Sequence, residues 1–218
     1  MKNVVIDIKN ISKSFYIERP KTLKKWFYHL FLHFEKIFVI NNFSLKVNKG
    51  EFVIVTGENG SGKTTLLKII AGITEVDSGI VKTKGKIVPL IELTAGFNIE
   101  LSGLENIIIN ATVLGIEKRR IKKIIPKIIK FSGIKEFIYN PVKKYSTGMI
   151  ARLGFAIAVH SDPDILLLDE TLVVGDKGYW KKSINKVMDL NKKGVTILWV
   201  TQFYNHFKIK CDRIINLN

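Results

Sequence analysis

The octapeptide Gly57-Glu-Asn-Gly-Ser-Gly-Lys63-Thr64 follows a short β-branched run, Val53-Ile-Val-Thr. It leads into Thr65-Leu-Leu-Lys-Ile-Ile-Ala, a helical pattern that stops at Gly72. Strand, Gly-x-x-x-x-Gly-Lys-Thr, helix is the order a phosphate-binding loop requires. Glycines at 57, 60 and 62 let the backbone curl so that several N–H groups point into one hollow around a β-phosphate. Lys63 then reaches the β- and γ-phosphates, and the Thr64 hydroxyl ligates a magnesium ion. The candidate ATP-binding set is Gly57, Glu58, Asn59, Gly60, Ser61, Gly62, Lys63, Thr64 and Thr65.

The magnesium of such a site needs a carboxylate from a neighbouring strand. Ile165-Leu-Leu-Leu-Asp169-Glu170 offers one: four apolar residues, as in a strand buried on both faces, ending in two acids. Ligands of open α/β sheets bind at that carboxyl end. Asp169 would hold a magnesium-bound water, and Glu170, just beyond, would act as general base on an attacking water. Two adjacent acids also suit the start of the next helix. A third stretch, Lys143-Lys-Tyr-Ser146-Thr-Gly148, opens an apolar helical stripe. Its Ser and Thr fit a helix cap, and the same free N–H groups fit a phosphate.

A chain of 218 residues that is 46% hydrophobic and 25% charged can bury a sizeable core as one folded unit. No second nucleotide motif or internal repeat is visible. The formal charge is +16, yet 30 of the 35 basic residues are Lys and they form no block. Planar reading of bases leans on Arg, so specific nucleic-acid binding is not expected. Cys211 is the single cysteine, which excludes an intrachain disulfide and suits a reducing compartment. Asp7 interrupts the apolar start, which argues against a secretory signal. The longest apolar stretch, residues 26 to 40, is too short and too polar to span a bilayer. Between residues 20 and 38, Leu23, Trp26, Phe27, Leu30, Phe34, Ile37 and Phe38 recur at three- and four-residue spacing, with Lys21, Lys25, His29, His33 and Lys36 mostly opposite. The pattern predicts an amphipathic helix, packed on its own domain or lying against anionic lipid.

Phosphate loop, Ser-x-Gly at a helix start, then four apolar residues and Asp-Glu: in this order the motifs resemble the ATP-binding subunits of ABC transporters. The 23-residue interval from Ser146 to Asp169 leaves room for one helix and a turn at Pro163. Most such subunits carry Leu-Ser-Gly-Gly-Gln at the helix start, whereas this chain has Tyr145-Ser-Thr-Gly-Met149. Tyr-Ser-Ser-Gly-Met is the pattern of exporters of capsule, O-antigen and wall teichoic acid. Ala95-Gly-Phe-Asn-Ile-Glu-Leu-Ser-Gly-Leu-Glu-Asn106, Pro141-Val-Lys-Lys, Ala151-Arg-Leu-Gly-Phe and Asp169-Glu-Thr-Leu-Val-Val-Gly-Asp176 look like the same group.

The resemblance implies an α/β fold: a P-loop NTPase core with a β subdomain and a helical subdomain, over 1–218 as a single domain. Residues 1–56 and 80–91 would supply mainly the β subdomain and core strands, and 57–79 the phosphate loop and its helix. Residues 92–160 would form the helical subdomain and signature helix, and 161–218 the rest of the core. It further implies a homodimer with two ATP molecules in the interface, each between Lys63 of one copy and Ser146, Gly148 and Asp176 of the other. Separate transmembrane permease subunits would be driven from the cytoplasmic face of the cell membrane, and residues 104 to 135 would grip one of their helices. Phe15, or Tyr16 as the alternative, matches the aromatic that stacks on adenine, and Glu92 is a weak match to the loop glutamine near the metal. One departure matters: the family histidine after the strand Val195-Thr-Ile-Leu-Trp-Val-Thr is Gln202 here. An amide donates a hydrogen bond but takes up no proton near neutral pH, which predicts slow hydrolysis with ATP binding intact. The end at Asn218 implies no appended carbohydrate-binding domain. Two other classes stay open on the residues: a soluble ABC ATPase acting on ribosomes or nucleic acid, and a silent ATP-dependent switch.

Overall fold

The structure, a computed structural model, describes residues 3–18, 34–91, 96–170, 176–202 and 210–217. The strands are β1 (Val4–Glu18), β2 (Phe34–Asn48), β3 (Phe52–Thr56), β4 (Ser78–Thr83), β5 (Ile87–Leu90), β6 (Ile165–Leu168), β7 (Thr196–Val200) and β8 (Arg213–Asn216). The helices are α1 (Lys63–Ile70), α2 (Gly103–Val113), α3 (Lys118–Ser132), α4 (Thr147–Val159) and α5 (Lys177–Lys192).

Five strands pair in the order β5-β6-β7-β3-β8, and every pairing is parallel. Period-2 alternation divides them between two cores. Val53, Val55, Ile165, Leu167, Leu198 and Val200 pack with α1 and the antiparallel strands. Phe52, Ile54, Leu166, Leu168, Ile197 and Trp199 face α4 and α5. The four residues of β6 are fully buried, and each contributes about 1.5–3 kcal/mol in apolar transfer. This explains why Ile165-Leu-Leu-Leu is continuous rather than alternating. Cys211 packs partly buried against the second core.

A second, antiparallel sheet has the order β2-β1-β4. Here the expected amphipathic helix over 20–38 is corrected: residues 34–38 are the start of β2, with Phe15 opposite Ile37 and Tyr16 opposite Lys36. The apolar residues at 34, 37 and 38 fit a helical face in isolation, but a 15-residue partner strand satisfies their backbone in extended form. The remainder of that expectation, with His29 and His33, lies outside the described residues.

A third core joins α2, α3 and one side of α4. Ser102 and Glu105 form a reciprocal capping box at the start of α2. The isoleucine stripe of α3 turns inward: Ile121, Ile124 and Ile128 are buried and Ile125 and Ile129 partly so, which assigns the stripe to the chain's own core. Among the described residues no helix is long and apolar enough to cross a membrane.

Candidate nucleotide-binding site

Because β3, β6 and β7 are parallel neighbours, Gly57, Asp169 and Gln202 all leave the sheet at one edge. Gly60 and Gly62 have φ of 84° and 89°, the left-handed region that a Cβ disfavours. Gly62 is required twice, since a Cβ there would lie 2.7 Å from the Val39 carbonyl oxygen. That contact falls at a bulge: Ser14 pairs with Phe38 and Lys13 with Ile40, leaving Val39 as the extra residue. The bulge thus presses the β2 backbone against the loop, and the exposed rings of Phe15 and Tyr16 lie just past it on β1, outside the core.

Helix α1 begins at Gly62 with no side-chain cap, so its first N–H groups are open to an anion. The Lys63 ammonium is buried and donates to the carbonyls of Gly57 and Glu58, both at 2.8 Å. Ser61 Oγ is buried without a partner among the described residues. An orphaned hydroxyl, uncapped amides and a buried cation in one loop fit a polyphosphate.

The acids follow directly. Thr64 Oγ1 donates to Asp169 Oδ2 at 3.1 Å, and Asp169 Oδ1 accepts from the Glu170 N–H at 2.7 Å. Asp169 is buried. The Gln202 N–H donates to Glu170 Oε1 at 2.7 Å, so the acid is tied to the segment after β7. Thr64, Asp169, Glu170 and Gln202 are therefore one hydrogen-bonded chain, with the hydroxyl and carboxylate chemistry that suits magnesium.

Ser146, Gly148 and Asp176 form a different group. Ser146 is the N-cap of α4, its hydroxyl accepting from the Met149 N–H at 3.2 Å. A Cβ on Gly148 would meet only Ser146 Oγ, at 3.9 Å, so the chain's own packing does not require glycine there. Asp176 caps α5 through the Tyr179 N–H at 2.8 Å and pairs with Arg152 of α4 at 2.7 Å. The Tyr179 hydroxyl in turn donates to the Arg152 carbonyl. The backbone amide of Tyr179 first, and then the Arg152 charge, hold the Asp176 carboxyl below its ordinary range. Among the described residues no hydrogen bond joins Ser146 or Gly148 to the loop 57–64. Glu92 lies outside the described residues.

Two supporting residues were not legible in the sequence. Arg152 is 24 residues from its carboxylate partner, beyond the reach of local periodicity. Tyr145, buried, donates to the Phe137 carbonyl at 2.7 Å, and its oxygen lies 2.3 Å from where a Cβ on Gly103 would stand. The tyrosine before Ser146 thus anchors the helix tip to the start of α2. Gly103→Ala is expected to destabilise the fold by about 1–3 kcal/mol through this clash. Tyr145→Phe alone should cost about 1 kcal/mol. Combining them should recover part of the first loss in urea unfolding; fully additive losses would refute the contact.

The family profile described as "ABC transporter" matches residues 40–173. An O-antigen export system ATP-binding protein of Klebsiella pneumoniae is 38% identical, over 97% of this chain and 89% of its own length. A teichoic acids export ATP-binding protein of Bacillus anthracis is 44% identical over 83% of this chain, which spans only 33% of that relative's length. Among solved structures, the dimeric ATP-binding cassette MJ0796 bound to ADP and Pi superposes with a TM-score of 0.77 at 24% identity, over 98% of this chain and 94% of the other. That likeness carries the fold.

Proposed function

Since the chain belongs to the ABC transporter family, we propose that it is the ATP-hydrolysing subunit that powers export of a cell-surface polysaccharide or lipid-linked glycan across the cytoplasmic membrane. The observation that carries the hydrolytic part is the Thr64–Asp169 hydrogen bond at 3.1 Å, which sets the metal-binding hydroxyl and carboxylate side by side at the mouth of the phosphate loop. The names of the O-antigen and teichoic acid relatives support the class of cargo.

In this reading the N–H groups of Glu58 to Thr65 cradle the α- and β-phosphates of ATP, and the Lys63 ammonium exchanges its loop carbonyls for phosphate oxygens. Thr64 and Asp169 hold Mg2+, which would offset charge on the phosphate oxygens. Glu170 accepts the proton of the attacking water, held in place by the Gln202 N–H. Phe15, with Tyr16 as the alternative, stacks on adenine from the β1–β2 hairpin. A second copy presents Ser146 and the Gly148 N–H to the γ-phosphate, backed by the α4 dipole. Asp176 travels with that tip through Arg152. Glycine at 148, unneeded by the chain's own packing, leaves room for that close approach. The subunit works as a homodimer at the cytoplasmic face of the membrane, against separate permease subunits.

The test is reconstitution of the purified chain with its permease in vesicles. A lipid-linked glycan should raise ATP turnover. Stimulation by ribosomes or RNA instead would replace the exporter reading with a soluble ATPase. Gln202 sets the chemical rate: an amide lacks the proton affinity and second donor state of imidazole. Gln202→His is expected to raise single-turnover hydrolysis about tenfold, a fraction of what a well-placed donor supplies. An unchanged rate would show that position 202 does not limit turnover.

A further inference from the structure

At the other end of α4 from Ser146, about 20 Å along the helix, α3, α4 and α5 border an open cleft of about 470 Å3. That volume lies within the usual range of small-molecule sites. Six cations line it: Arg120, Lys127 and Lys130 from α3, Lys182 and Lys186 from α5, and Lys193 at the α5 C-terminus. One carboxylate, Asp162, lines it too and is ion-paired with Arg120. Six cations less one carboxylate leave a formal excess of five positive charges. The clustering is built into the elements. Helix α3 has no acidic residue, and α5 has only Asp189, which faces the adjoining cleft.

Five of the six cations are exposed and Lys186 is partly buried, and two of the six are tethered, Arg120 by Asp162 and Lys182 by α3. Lys182 donates to the Phe131 carbonyl at 2.9 Å, and its ammonium lies 4.5 Å from the Phe131 ring centre. Burial, and then Lys130 and Arg152, push Lys182 below the usual lysine range; Lys186 is lowered by burial and by Lys193 and Lys127, against the opposing effect of Asp189. His160 closes the cleft. Its Nδ1 is 2.7 Å from the Ala156 carbonyl, an acceptor only, so Nδ1 carries the proton. Burial, and then Lys186, Lys127 and Lys182, lower the pKa of the ring. Repulsion of this kind costs stability, and a multiply charged anion would relieve it.

We propose that this cleft binds an anion carrying two or three neighbouring phosphate groups, at a site separate from the phosphate loop. One phosphate carries about −1.5 to −2 at neutral pH, so two offset most of an excess of five and three balance it. Lysine ammoniums suit phosphate as point charges. The volume of the open cleft accommodates a compact oligophosphate. The phosphates could belong to a free oligophosphate or to a phosphorylated lipid headgroup.

The test uses the full chain with its phosphate loop filled by magnesium and a non-hydrolysable ATP analogue. Tripolyphosphate is then titrated at about 0.15 M salt, with heat and the His160 ring resonance as readouts. Binding with a raised His160 pKa is expected. Lys127→Gln/Lys186→Gln should weaken it at least about tenfold while analogue binding is kept, which separates this site from the phosphate loop. Both side chains leave a repulsive cluster, so the variant should fold; Lys130→Gln/Lys193→Gln is a second pair. In a parallel arm the loaded protein meets phosphatidylcholine vesicles with and without a bisphosphorylated lipid. Binding to those vesicles alone, lost in the variants, assigns the phosphates to a headgroup. Failure of both probes to bind, or undiminished binding by the variants, overturns the proposal.

Discussion

Replacing Glu170 with Gln will lower ATP turnover by about 10²-fold or more while nucleotide stays bound. The substitution is well suited to isolate proton transfer. Glu170 Oε1 accepts from the Gln202 N–H at 2.7 Å, and a glutamine carbonyl oxygen can accept the same bond. The Asp169 carboxylate, its partner Thr64 and the loop keep their contacts, because Glu170 meets Asp169 only through its backbone N–H. What disappears is the ability to take a proton from water. Affinity for labelled ATP should change little, and ATP should accumulate on the protein in closed pairs, visible by size-exclusion chromatography. Full activity in this variant would remove Glu170 as the base and leave the hydrogen bond to Gln202 as its only role.

The parts of this site that were legible in the sequence are those whose geometry is local. Gly57 to Thr64 must curl because glycines at 60 and 62 alone tolerate their left-handed backbone. Four consecutive apolar residues before Asp169 fit a strand covered on both faces, and β6 is that. What stayed hidden depends on distant partners. Residues 34–38 satisfy a helical stripe as well as a strand, and only the register against Phe15 and Tyr16 decides between them. The Ile121, Ile124 and Ile128 stripe announced an amphipathic helix but not which surface it covers. Arg152 looked like one cation among 35 until α5 brought Asp176 to it. In each case the chain segment carries the propensity and a tertiary contact selects the outcome.

Mixing two separately inactive variants will restore hydrolysis if each site is shared between two copies. Lys63→Ala removes the cation from the phosphate loop, and Ser146→Ala removes the hydroxyl from the α4 tip; each homodimer then carries two damaged sites. A mixed pair is different. One of its sites joins the damaged loop of the first copy to the damaged tip of the second, and the other joins an intact loop to an intact tip. Random pairing makes half of the dimers mixed, each with one intact site of two, so recovery should approach about a quarter of the unaltered rate. From a starting loss of about 10²-fold per homodimer, that is a rise of more than tenfold on mixing, read directly as phosphate release. Loss of the Ser146 hydroxyl also removes the cap on Met149, at about 1 kcal/mol of helix stability. Unfolding is common to every dimer containing that variant, so it would depress the mixture as well and could not mimic recovery. No recovery from two folded variants known to exchange subunits would place Ser146 outside the partner's nucleotide site and confine the chemistry to a single chain.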